Sequence, residues 1–214
     1  MNQPTMKATT TRTKRHLRTK QAILDAAREI IAEEGPAALS MRALADRIDY
    51  SPAALYEYYA SKEEIIAVVC TEGQHFLYEA MRQVDLALPA VEYLHQIGRA
   101  YIRFALEHPD YFLLMFTEAP PPDMAGLSLD TVREFMEQEG AAYGILVRTV
   151  QRGIDEGAFQ VRPGFGRDEM AYAAWTLVHG IAMLRITALR AYPADLDAWD
   201  HQILLNFMRG LQSA

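Results

Sequence analysis

The stretch SPAALYEYYASKEE, residues 51–64, gathers three tyrosines at Tyr56, Tyr58 and Tyr59 and follows them with Lys62. A buried tyrosine hydroxyl needs a hydrogen-bond partner, so a protein core seldom collects several phenols on one short segment. Small residues precede the tyrosines, which leaves the start of the segment open to close approach. The composition therefore indicates a segment that meets a polar surface.

Capping residues divide this part of the chain into short helices. Ser40 is a suitable N-cap for the helix MRALADRI, and Ser51 is a suitable N-cap for the next helix, which has Pro52 at its first position. Asp49 lies in a tight turn between them. Ser61, with a glutamate three residues later, forms a capping box that begins a longer helix. Two short helices joined by a turn and preceded by a longer helix have the layout of a helix-turn-helix, whose second helix enters the major groove of DNA.

The second short helix has a composition that suits this role. Its hydroxyls at Tyr56 and Tyr58 and the ammonium of Lys62 are donors suited to phosphate oxygens, while Leu55 and Tyr59 are expected to face inward. Packing of tyrosines on a surface helix is the alternative interpretation. Four small residues begin the helix and permit a close approach to base edges: Ser51, Pro52, Ala53 and Ala54.

The composition of the 214-residue chain, with 50% hydrophobic and 23% charged residues, is that of a soluble globular protein. Its single cysteine excludes an intramolecular disulfide and is interpreted as a buried thiol. No stretch approaches the roughly twenty apolar residues of a membrane span, and the basic N-terminus lacks the apolar segment of a secretory signal. We therefore expect a cytoplasmic protein.

The net charge of −7 conceals an asymmetry along the chain. Residues 1–20 hold six lysines and arginines and no acid, residues 1–62 carry a net charge of +3, and the remaining residues carry −10. A basic end on an acidic body is typical of a protein that meets a polyanion at that end. A solvated tail is the alternative interpretation.

Helical spacing of apolar residues runs along the chain, and no long segment alternates apolar and polar residues as a strand does. The spacing predicts an all-α protein of about nine helices. Outside the two short helices, the predicted helices are Leu17 to Glu34, Ser61 to about Leu86, Pro89 to Glu107, HPDYFLLMF, Ser128 to Glu156, and residues 168–191 and 194–212.

Two segments resemble the DNA-binding domain of the TetR (tetracycline repressor) family of bacterial transcriptional regulators. They are the first long helix, TKQAILDAAREIIAEEG, and the segment SMRALADRIDYSPAALYEYYASKEEII, whose LY and SKE groups follow the family pattern over roughly residues 17–67. Asp49 stands where the family usually has glycine, and Tyr58 where histidine is common. Aspartate tolerates left-handed backbone geometry and tyrosine can donate to phosphate, so both departures are compatible with the motif.

The resemblance implies a homodimeric regulator, in most cases a repressor, that binds a palindromic DNA operator. Arg42 is expected to reach a base or phosphate, since arginine can bind guanine O6 and N7 together, and a solvated arginine is the alternative. Lys14, Arg15 and Arg18 are expected to reach nearby phosphates or the minor groove, or to lie in a tail that makes only diffuse contacts. The implied DNA-contacting residues are Ser40, Arg42, Ser51, Pro52, Ala53, Ala54, Tyr56, Tyr58 and Lys62.

The rest of the chain resembles the ligand-binding and dimerisation domain of the family more weakly. EHPDYFLLMF and AAWTLVHGIAML resemble a subgroup marked by a tryptophan followed by His-Gly, here Trp175 and His179-Gly180. The expected domains are a flexible basic arm at residues 1–16, a three-helix helix-turn-helix DNA-binding domain at 17–64, and a helical effector-binding and dimerisation domain at 65–214.

Pliable and aromatic side chains in the last of these domains predict a small-molecule pocket between helices. The effector is expected to be small and largely apolar, with His179 as a polar contact. Core packing is the alternative for each residue. The predicted pocket residues are Phe104, Tyr111, Phe112, Met115, Phe116, Met136, Tyr143, Trp175, His179 and Met183.

The last two helices carry apolar stripes that the resemblance assigns to a four-helix dimer interface. Burial within one chain is the alternative for part of each stripe. The stripes consist of Ala174, Leu177, Val178, Ile181, Ala182 and Arg185 on one helix, and of Trp199, Ile203, Leu204, Phe207, Met208 and Leu211 on the other.

An enzyme is the main alternative class of protein. The histidines are scattered, and the sequence contains no glycine-rich phosphate loop and no nucleophile elbow, so we predict no catalytic residue, metal site or cofactor. A helical interaction or structural protein without sequence-specific DNA binding is the other alternative. This alternative leaves the basic arm and the tyrosine–lysine cluster without a role. A binding measurement distinguishes the two, because a regulator binds a short palindromic duplex and an interaction protein does not.

Overall fold

The computed structural model describes residues 11–117, 126, 128, 131, 134, 136–138 and 140–212. Nine α-helices lie in this part of the chain, where an isolated bridge between Arg162 and Phe165 is the only pairing of extended backbone. The prediction of an all-α protein is confirmed. The helices are α1 (Thr11–Glu34), α2 (Met41–Arg47), α3 (Pro52–Leu55), α4 (Lys62–Arg82), α5 (Ala90–Glu107), α6 (Pro109–Thr117), α7 (Ala142–Asp155), α8 (Arg167–Ile186) and α9 (Leu196–Leu211), with a 3₁₀ turn at Pro36–Ala38.

The chain divides into two compact units, of which the first ends at Cys70 and the second begins at Thr71. This boundary falls inside α4. In the first unit α1 packs against α2, and α2 packs against α3. The buried residues include the apolar face predicted for α1 and both inward residues predicted for the second short helix: Ile23, Ala27, Ile30, Ile31, Leu55 and Tyr59.

The first helix starts earlier than the sequence predicts. α1 begins at Thr11 rather than at Leu17, so residues 11–16 of the predicted arm are helical. Its end is as predicted, because Gly35 follows with a φ of 85°. A positive φ favours glycine and is incompatible with a right-handed helix. Residues 1–10 lie outside the described residues.

The turn between α2 and α3 depends on the left-handed backbone of Asp49, whose φ is 56°. The Tyr50 N–H donates to the Ala45 carbonyl at 2.9 Å. This is the longer hydrogen bond of a Schellman motif, which needs a left-handed residue just after the helix. Aspartate adopts that geometry more readily than most residues, so the predicted tight turn is confirmed without the usual glycine.

The start of α4 resembles the predicted capping box, with one bond displaced. The Ser61 hydroxyl accepts from the Glu64 N–H at 3.3 Å, as predicted. The Glu64 carboxylate accepts from the N–H of Ala60 at 2.6 Å, whereas a capping box would use the N–H of Ser61. The Ser61 bond gives a partner to an N–H group that the first turn of a helix leaves unpaired, and the Glu64 bond gives one to the N–H of the residue before the N-cap.

Helix α5 lies at the centre of the second unit, where it packs against α6, α7, α8 and α9. Eleven of its eighteen residues are buried, because neighbouring helices cover it on most sides. α7 and α8 also pack against each other. Together with residues 71–82 of α4, these helices place side chains of six helices around one interior space in the second unit.

The prediction of a single long helix from Ser128 to Glu156 is wrong. α7 begins only at Ala142, and Gly140 before it has a φ of 93°. A right-handed helix requires negative φ, so the left-handed glycine interrupts it. The predicted end is confirmed, since Gly157 follows the helix with a φ of 72°. α4 and α8 are also shorter than predicted, ending at Arg82 and Ile186.

Candidate nucleic-acid interface and ligand cavity

Hydroxyl caps fix the two short helices of the first unit. The Ser40 hydroxyl accepts from the Ala43 N–H at 3.1 Å, and the Ser51 hydroxyl accepts from the Ala54 N–H at 3.2 Å. Both predicted N-caps are therefore confirmed as caps, each worth about 1 kcal/mol of stability. Because a cap hydroxyl is held by its own helix, Ser40 and Ser51 are rigid points at the start of α2 and α3.

The start of α3 is an exposed edge of small side chains. Ser51, Pro52 and Ala53 are exposed and Ala54 is half-buried, while Leu55 is fully buried beneath them. The single helical turn of α3 is anchored by this leucine. The edge is therefore both accessible and held in place, which is what close approach to base edges requires.

The three tyrosines of the opening stretch have three different environments. Tyr59 is buried, with the Lys20 ammonium 4.6 Å from its ring centroid. Tyr58 is half-buried and stacks on the His16 ring at a centroid distance of 4.8 Å. Tyr56 is 56% exposed. Packing thus accounts for Tyr59, while Tyr56 has a hydroxyl open to an external partner.

The basic side chains of the first unit differ in their ion pairs. Arg47 contacts Glu29, Glu33 and Glu34 of α1, and its hydrogen bond with Glu33 is the main cause that raises its pKa. Within the described residues Arg42 and Lys62 form no ion pair, and Arg42 is exposed. Their charges are therefore available to an anion. The other basic residues implied to contact DNA are exposed on α1: Lys14, Arg15 and Arg18.

The second unit contains a cavity of about 470 Å³. Its walls come from the six helices α4 to α9, and among the described residues that border it none is Asp, Glu, Lys or Arg. Four of the predicted pocket residues border the cavity, namely Phe116, Met136, Tyr143 and Trp175. The described walls are therefore largely apolar and uncharged, which suits a neutral small molecule.

The other six predicted pocket residues do not border the cavity. Phe104, Tyr111 and Phe112 are buried in the core around it. Met115, His179 and Met183 are half-buried and also lie outside the wall. Aromatic and pliable residues suit a core as well as a pocket, so composition alone could not separate the two groups.

A chain of hydrogen bonds connects one wall of the cavity to His179. The Trp175 Nε1–H donates to the Tyr101 hydroxyl at 3.2 Å, and that hydroxyl lies 3.0 Å from Nδ1 of His179. Burial raises the pKa of Tyr101 and lowers the pKa of His179. Both side chains are therefore uncharged near neutral pH. His179 meets the cavity wall through its hydrogen bond with Tyr101 and through the ring of Phe116, whose centroid lies 4.6 Å from that of His179.

The predicted pocket includes only Phe104 from α5, whereas four other residues of this helix form part of the wall. Leu94, Ile97, Gly98 and Tyr101 border the cavity from this helix. Their spacing of three, one and three residues places them on one helical face, and this periodicity was visible in the sequence. The periodicity shows a shared face but does not indicate that the face borders an open space.

Two Glu-x-x-His spacings in the sequence, Glu72–His75 and Glu92–His95, were also overlooked. His95 is buried against the ring of His201 at a centroid distance of 5.0 Å, and its Nδ1 lies 3.9 Å from a Glu92 oxygen. Burial is the main cause that lowers the pKa of His95. In the described part of the chain no group of three or more His, Cys, Asp or Glu side chains could hold a metal ion.

The apolar stripes of the last two helices are largely buried within the chain. The buried members are Ala174, Val178, Ile181, Ala182, Leu204, Met208 and Leu211. Arg185 is held by Asp197 and Asp200. The alternative of burial within one chain is correct for these residues, and four of them, Ala174, Val178, Leu204 and Met208, border the cavity. The exposed large apolar residues of these helices are Tyr172, Leu184, Trp199 and Ile203, of which Trp199 and Ile203 belong to the predicted stripe of the last helix.

None of the helices in the described residues is long and apolar enough to cross a membrane.

Two family models match the chain. The model for bacterial regulatory proteins of the tetR family matches residues 23–69, which include α2, α3 and the start of α4. The model for the tetracyclin repressor-like C-terminal domain matches residues 94–205, more than half of the chain. The subgroup marked by Trp175 and His179-Gly180 stays a prediction.

Similar curated proteins are helix-turn-helix regulators. The chain is 29% identical over 94 residues to the uncharacterized HTH-type transcriptional regulator YobS of Bacillus subtilis, which covers 44% of this chain and 49% of that protein. It is 33% identical over 76 residues to the HTH-type transcriptional regulator UidR of Escherichia coli K12, which covers 36% and 39%. The matches thus span about half or less of these relatives.

Solved structures share the fold over nearly the whole chain. A protein of unknown function from Rhodococcus sp. RHA1 has a TM-score of 0.72 at 24% identity, covering 91% of this chain and 95% of the other. A tetR-family regulatory protein from Rhodococcus RHA1 has a TM-score of 0.66 at 20% identity, covering 91% and 97%. With the two family models, these observations show that the chain belongs to the TetR family of bacterial transcriptional regulators, a family of DNA-binding proteins rather than enzymes, and that its first unit is their DNA-binding helix-turn-helix domain.

Proposed function

We propose that this chain is a ligand-responsive repressor, which binds a palindromic operator as a homodimer in the cytoplasm and is released by a small, largely apolar effector. DNA binding is supported by one surface of the first unit, which is formed by the exposed start of α3 together with Arg42 and Lys62. These two cations form no ion pair within the described residues. In this proposal residues 17–64 bind DNA, and residues 65–214 bind the effector and dimerise.

The proposed contacts with DNA are of two kinds, contacts with base edges and contacts with phosphates. The small side chains from Ser51 to Ala54 approach base edges, and Arg42 reads a base or anchors a phosphate. Tyr56, Tyr58 and Lys62 donate to phosphates, and the Ser40 and Ser51 caps position the two helices. Phosphate contacts fix the register on the duplex, whereas base contacts carry the sequence preference.

The effector half of the proposal rests on the cavity of the second unit. A volume of about 470 Å³ lies within the range of small-molecule pockets. A charged ligand would lose its hydration in the cavity, where His75 is the one described wall residue whose side chain can carry a charge near neutral pH, so the effector is neutral and mostly apolar.

DNA binding is tested by selecting duplexes from a random library and measuring their affinities by fluorescence anisotropy. Recovery of an inverted repeat supports a dimeric regulator of palindromic sites. Recovery of no preferred sequence, with weak binding that disappears at physiological salt, would contradict the proposal and favour the alternative of a helical interaction protein.

Lys62→Ala is expected to weaken binding to all duplex sequences alike, because Lys62 contacts the phosphate backbone. The slope of log affinity against log salt concentration should fall by about one unit for each half-site, or about two units for the dimer on a palindromic operator, because one phosphate contact is lost per protomer. Anisotropy titrations at several salt concentrations measure the slope. The control is Arg103→Ala, which removes an exposed positive charge of the second unit and should leave the slope unchanged. An unchanged slope in Lys62→Ala would place Lys62 away from the DNA.

Arg42→Ala is expected to relax the preference at one base pair of each half-site by about 1–3 kcal/mol, the discrimination that a bidentate arginine–guanine contact supplies. The affinities of operators with single base-pair substitutions measure this preference. Arg47→Ala is the matched control on the same helix, because its guanidinium is engaged by three glutamates. Equal loss of affinity for every operator variant would instead make Arg42 a phosphate contact.

A further inference from the structure

The hydrogen-bond chain at the cavity wall has a direction. Trp175 Nε1–H can only donate, so it occupies one lone pair of the Tyr101 oxygen at 3.2 Å. The Tyr101 hydroxyl has a single hydrogen, and Nδ1 of His179 lies 3.0 Å away. If His179 donated through Nδ1, the tyrosine hydrogen would be left without a partner in a buried position, which is unfavourable. In the arrangement that satisfies all three groups, Tyr101 donates to His179.

This direction determines what Tyr101 can offer to a bound molecule. A phenolic oxygen has two lone pairs, of which Trp175 uses one, and its only hydrogen is used by His179. The remaining capacity of the hydroxyl is one acceptor site. A ligand hydroxyl or N–H can use that site without any rearrangement, whereas a ligand carbonyl would require the chain to reverse.

The wall beside Tyr101 is aromatic. Tyr101 and Trp175 border the cavity together with Phe116 and Tyr143, and the Tyr143 ring meets the Trp175 ring at a centroid distance of 5.5 Å, edge to face. Flat apolar groups pack well against such rings. The ligand body that fits this wall is therefore an aromatic or other flat hydrocarbon.

We propose that the cavity takes a neutral ligand with a flat apolar body and one hydroxyl or N–H group, which donates a hydrogen bond to the Tyr101 oxygen. Tyr101 is the specificity-determining residue, while Trp175 and His179 are positioning residues that hold its hydroxyl in the accepting state. The inference rests on the proposed function only in treating the cavity as the effector site, and it adds the chemistry of the ligand.

Three probes of nearly the same shape test the proposal: 1-(2-naphthyl)ethanol, 2-acetylnaphthalene and 2-ethylnaphthalene. They carry a hydroxyl, a carbonyl and no polar group on the same ring system. Their affinities for the full-length protein are measured by isothermal titration calorimetry. The wild type should bind the alcohol about 2- to 10-fold more tightly than the ketone, the range expected for one net hydrogen bond.

The variant Tyr101→Phe removes the acceptor and keeps the ring. It should lower the affinity for the alcohol, relative to that for 2-ethylnaphthalene, by about 2- to 10-fold. The affinity for the ketone relative to the same hydrocarbon should stay unchanged. Comparing ratios cancels the different hydration of the probes. Tyr93→Phe is the matched control, because it removes another buried phenol from the same helix that does not border the cavity, and it should preserve all ratios.

Several results would overturn the proposal. The first is that the wild type binds the alcohol and the ketone with equal affinity. The second is that Tyr101→Phe lowers the affinity for the ketone and not that for the alcohol. The third is that the wild type binds none of the three probes. The wild-type comparison needs no variant, so it decides even if Tyr101→Phe fails to fold. Operator affinity is a separate readout: alcohol-selective binding without any effect on DNA would contradict the proposed release mechanism and leave the ligand chemistry standing.

Discussion

Leu184→Glu or Ile203→Glu is expected to convert a dimer into monomers and to lower operator affinity by about 10²- to 10⁴-fold. Two linked recognition helices gain this much over a single one, because the second half-site is bound at a high effective concentration. The loss should therefore exceed that of any single DNA-contacting residue. Light scattering after gel filtration measures the oligomeric state, and anisotropy measures the operator affinity.

The choice of these residues follows from their exposure. Leu184 is 52% exposed on α8 and Ile203 is 42% exposed on α9, although both are large apolar side chains. One turn before Leu184 on α8, Gly180 is exposed and has open space where a side chain would be. Small residues permit a neighbouring helix to approach closely, so this part of α8 suits helix packing. A glutamate introduced there would be buried without a partner in the dimer, which is strongly unfavourable.

Val161→Glu is the matched control for these variants. Val161 is 54% exposed and apolar, but it lies outside α8 and α9. The same change of charge at this position should leave both the oligomeric state and the operator affinity unchanged. A wild-type monomer, or a dimer that survives Leu184→Glu and Ile203→Glu together, would contradict the assignment of the interface.

The first unit could be predicted closely because its boundaries depend on local chemistry. Ser40, Ser51 and Pro52 act on their own helices, and Asp49 acts on its own turn. Such interactions connect residues a few positions apart, so the sequence displays both partners at once. The arrangement of Lys20 over the Tyr59 ring, in contrast, joins residues far apart in the chain and was not predicted.

The second unit was predicted less well because its features depend on packing between distant segments. The periodicity of α8 gives an apolar stripe, but only the position of α5 determines that Ala174 and Val178 are covered within the chain. Composition likewise did not distinguish Phe112, which is fully buried, from Phe116, which borders the cavity one turn later. Gly140 was read as a helical glycine, although its positive φ ends the helix.

A ligand that fills the cavity is expected to release the protein from its operator, with a fall in operator affinity of about 5- to 150-fold. Helix α4 connects the two functions within one element. It begins at Lys62, a proposed phosphate contact, and its later residues Thr71, Gln74, Leu77 and Met81 border the cavity. A ligand that shifts α4 alters the position of the residues at its start. Two recognition helices must lie about 34–36 Å apart to enter successive major grooves, so a small change in spacing weakens binding.

Thermodynamic linkage makes the prediction reciprocal, because the operator must lower the affinity for the ligand by the same factor. Compounds are first screened for thermal stabilisation of the wild type and of Ala174→Phe. Ala174 is buried at the cavity wall, so a phenylalanine there takes up free volume and competes with the ligand. Compounds that stabilise only the wild type are cavity ligands, and each is titrated against a preformed operator complex by fluorescence anisotropy.

The variant Ala174→Phe also serves as the control for release. Its operator affinity is measured first without ligand, and the cavity ligands should then cause no further change, which separates an effect through the cavity from competition at the DNA interface. Cavity ligands that raise the melting temperature of the wild type without changing its operator affinity would contradict the release mechanism. Ligands that strengthen operator binding would reverse the sign of the predicted coupling between ligand and operator, since they would favour the DNA-bound state over the free one. Release by the ligand is the expected result, because the ligand adds volume beside α4 and the operator tolerates only a narrow range of recognition-helix spacings.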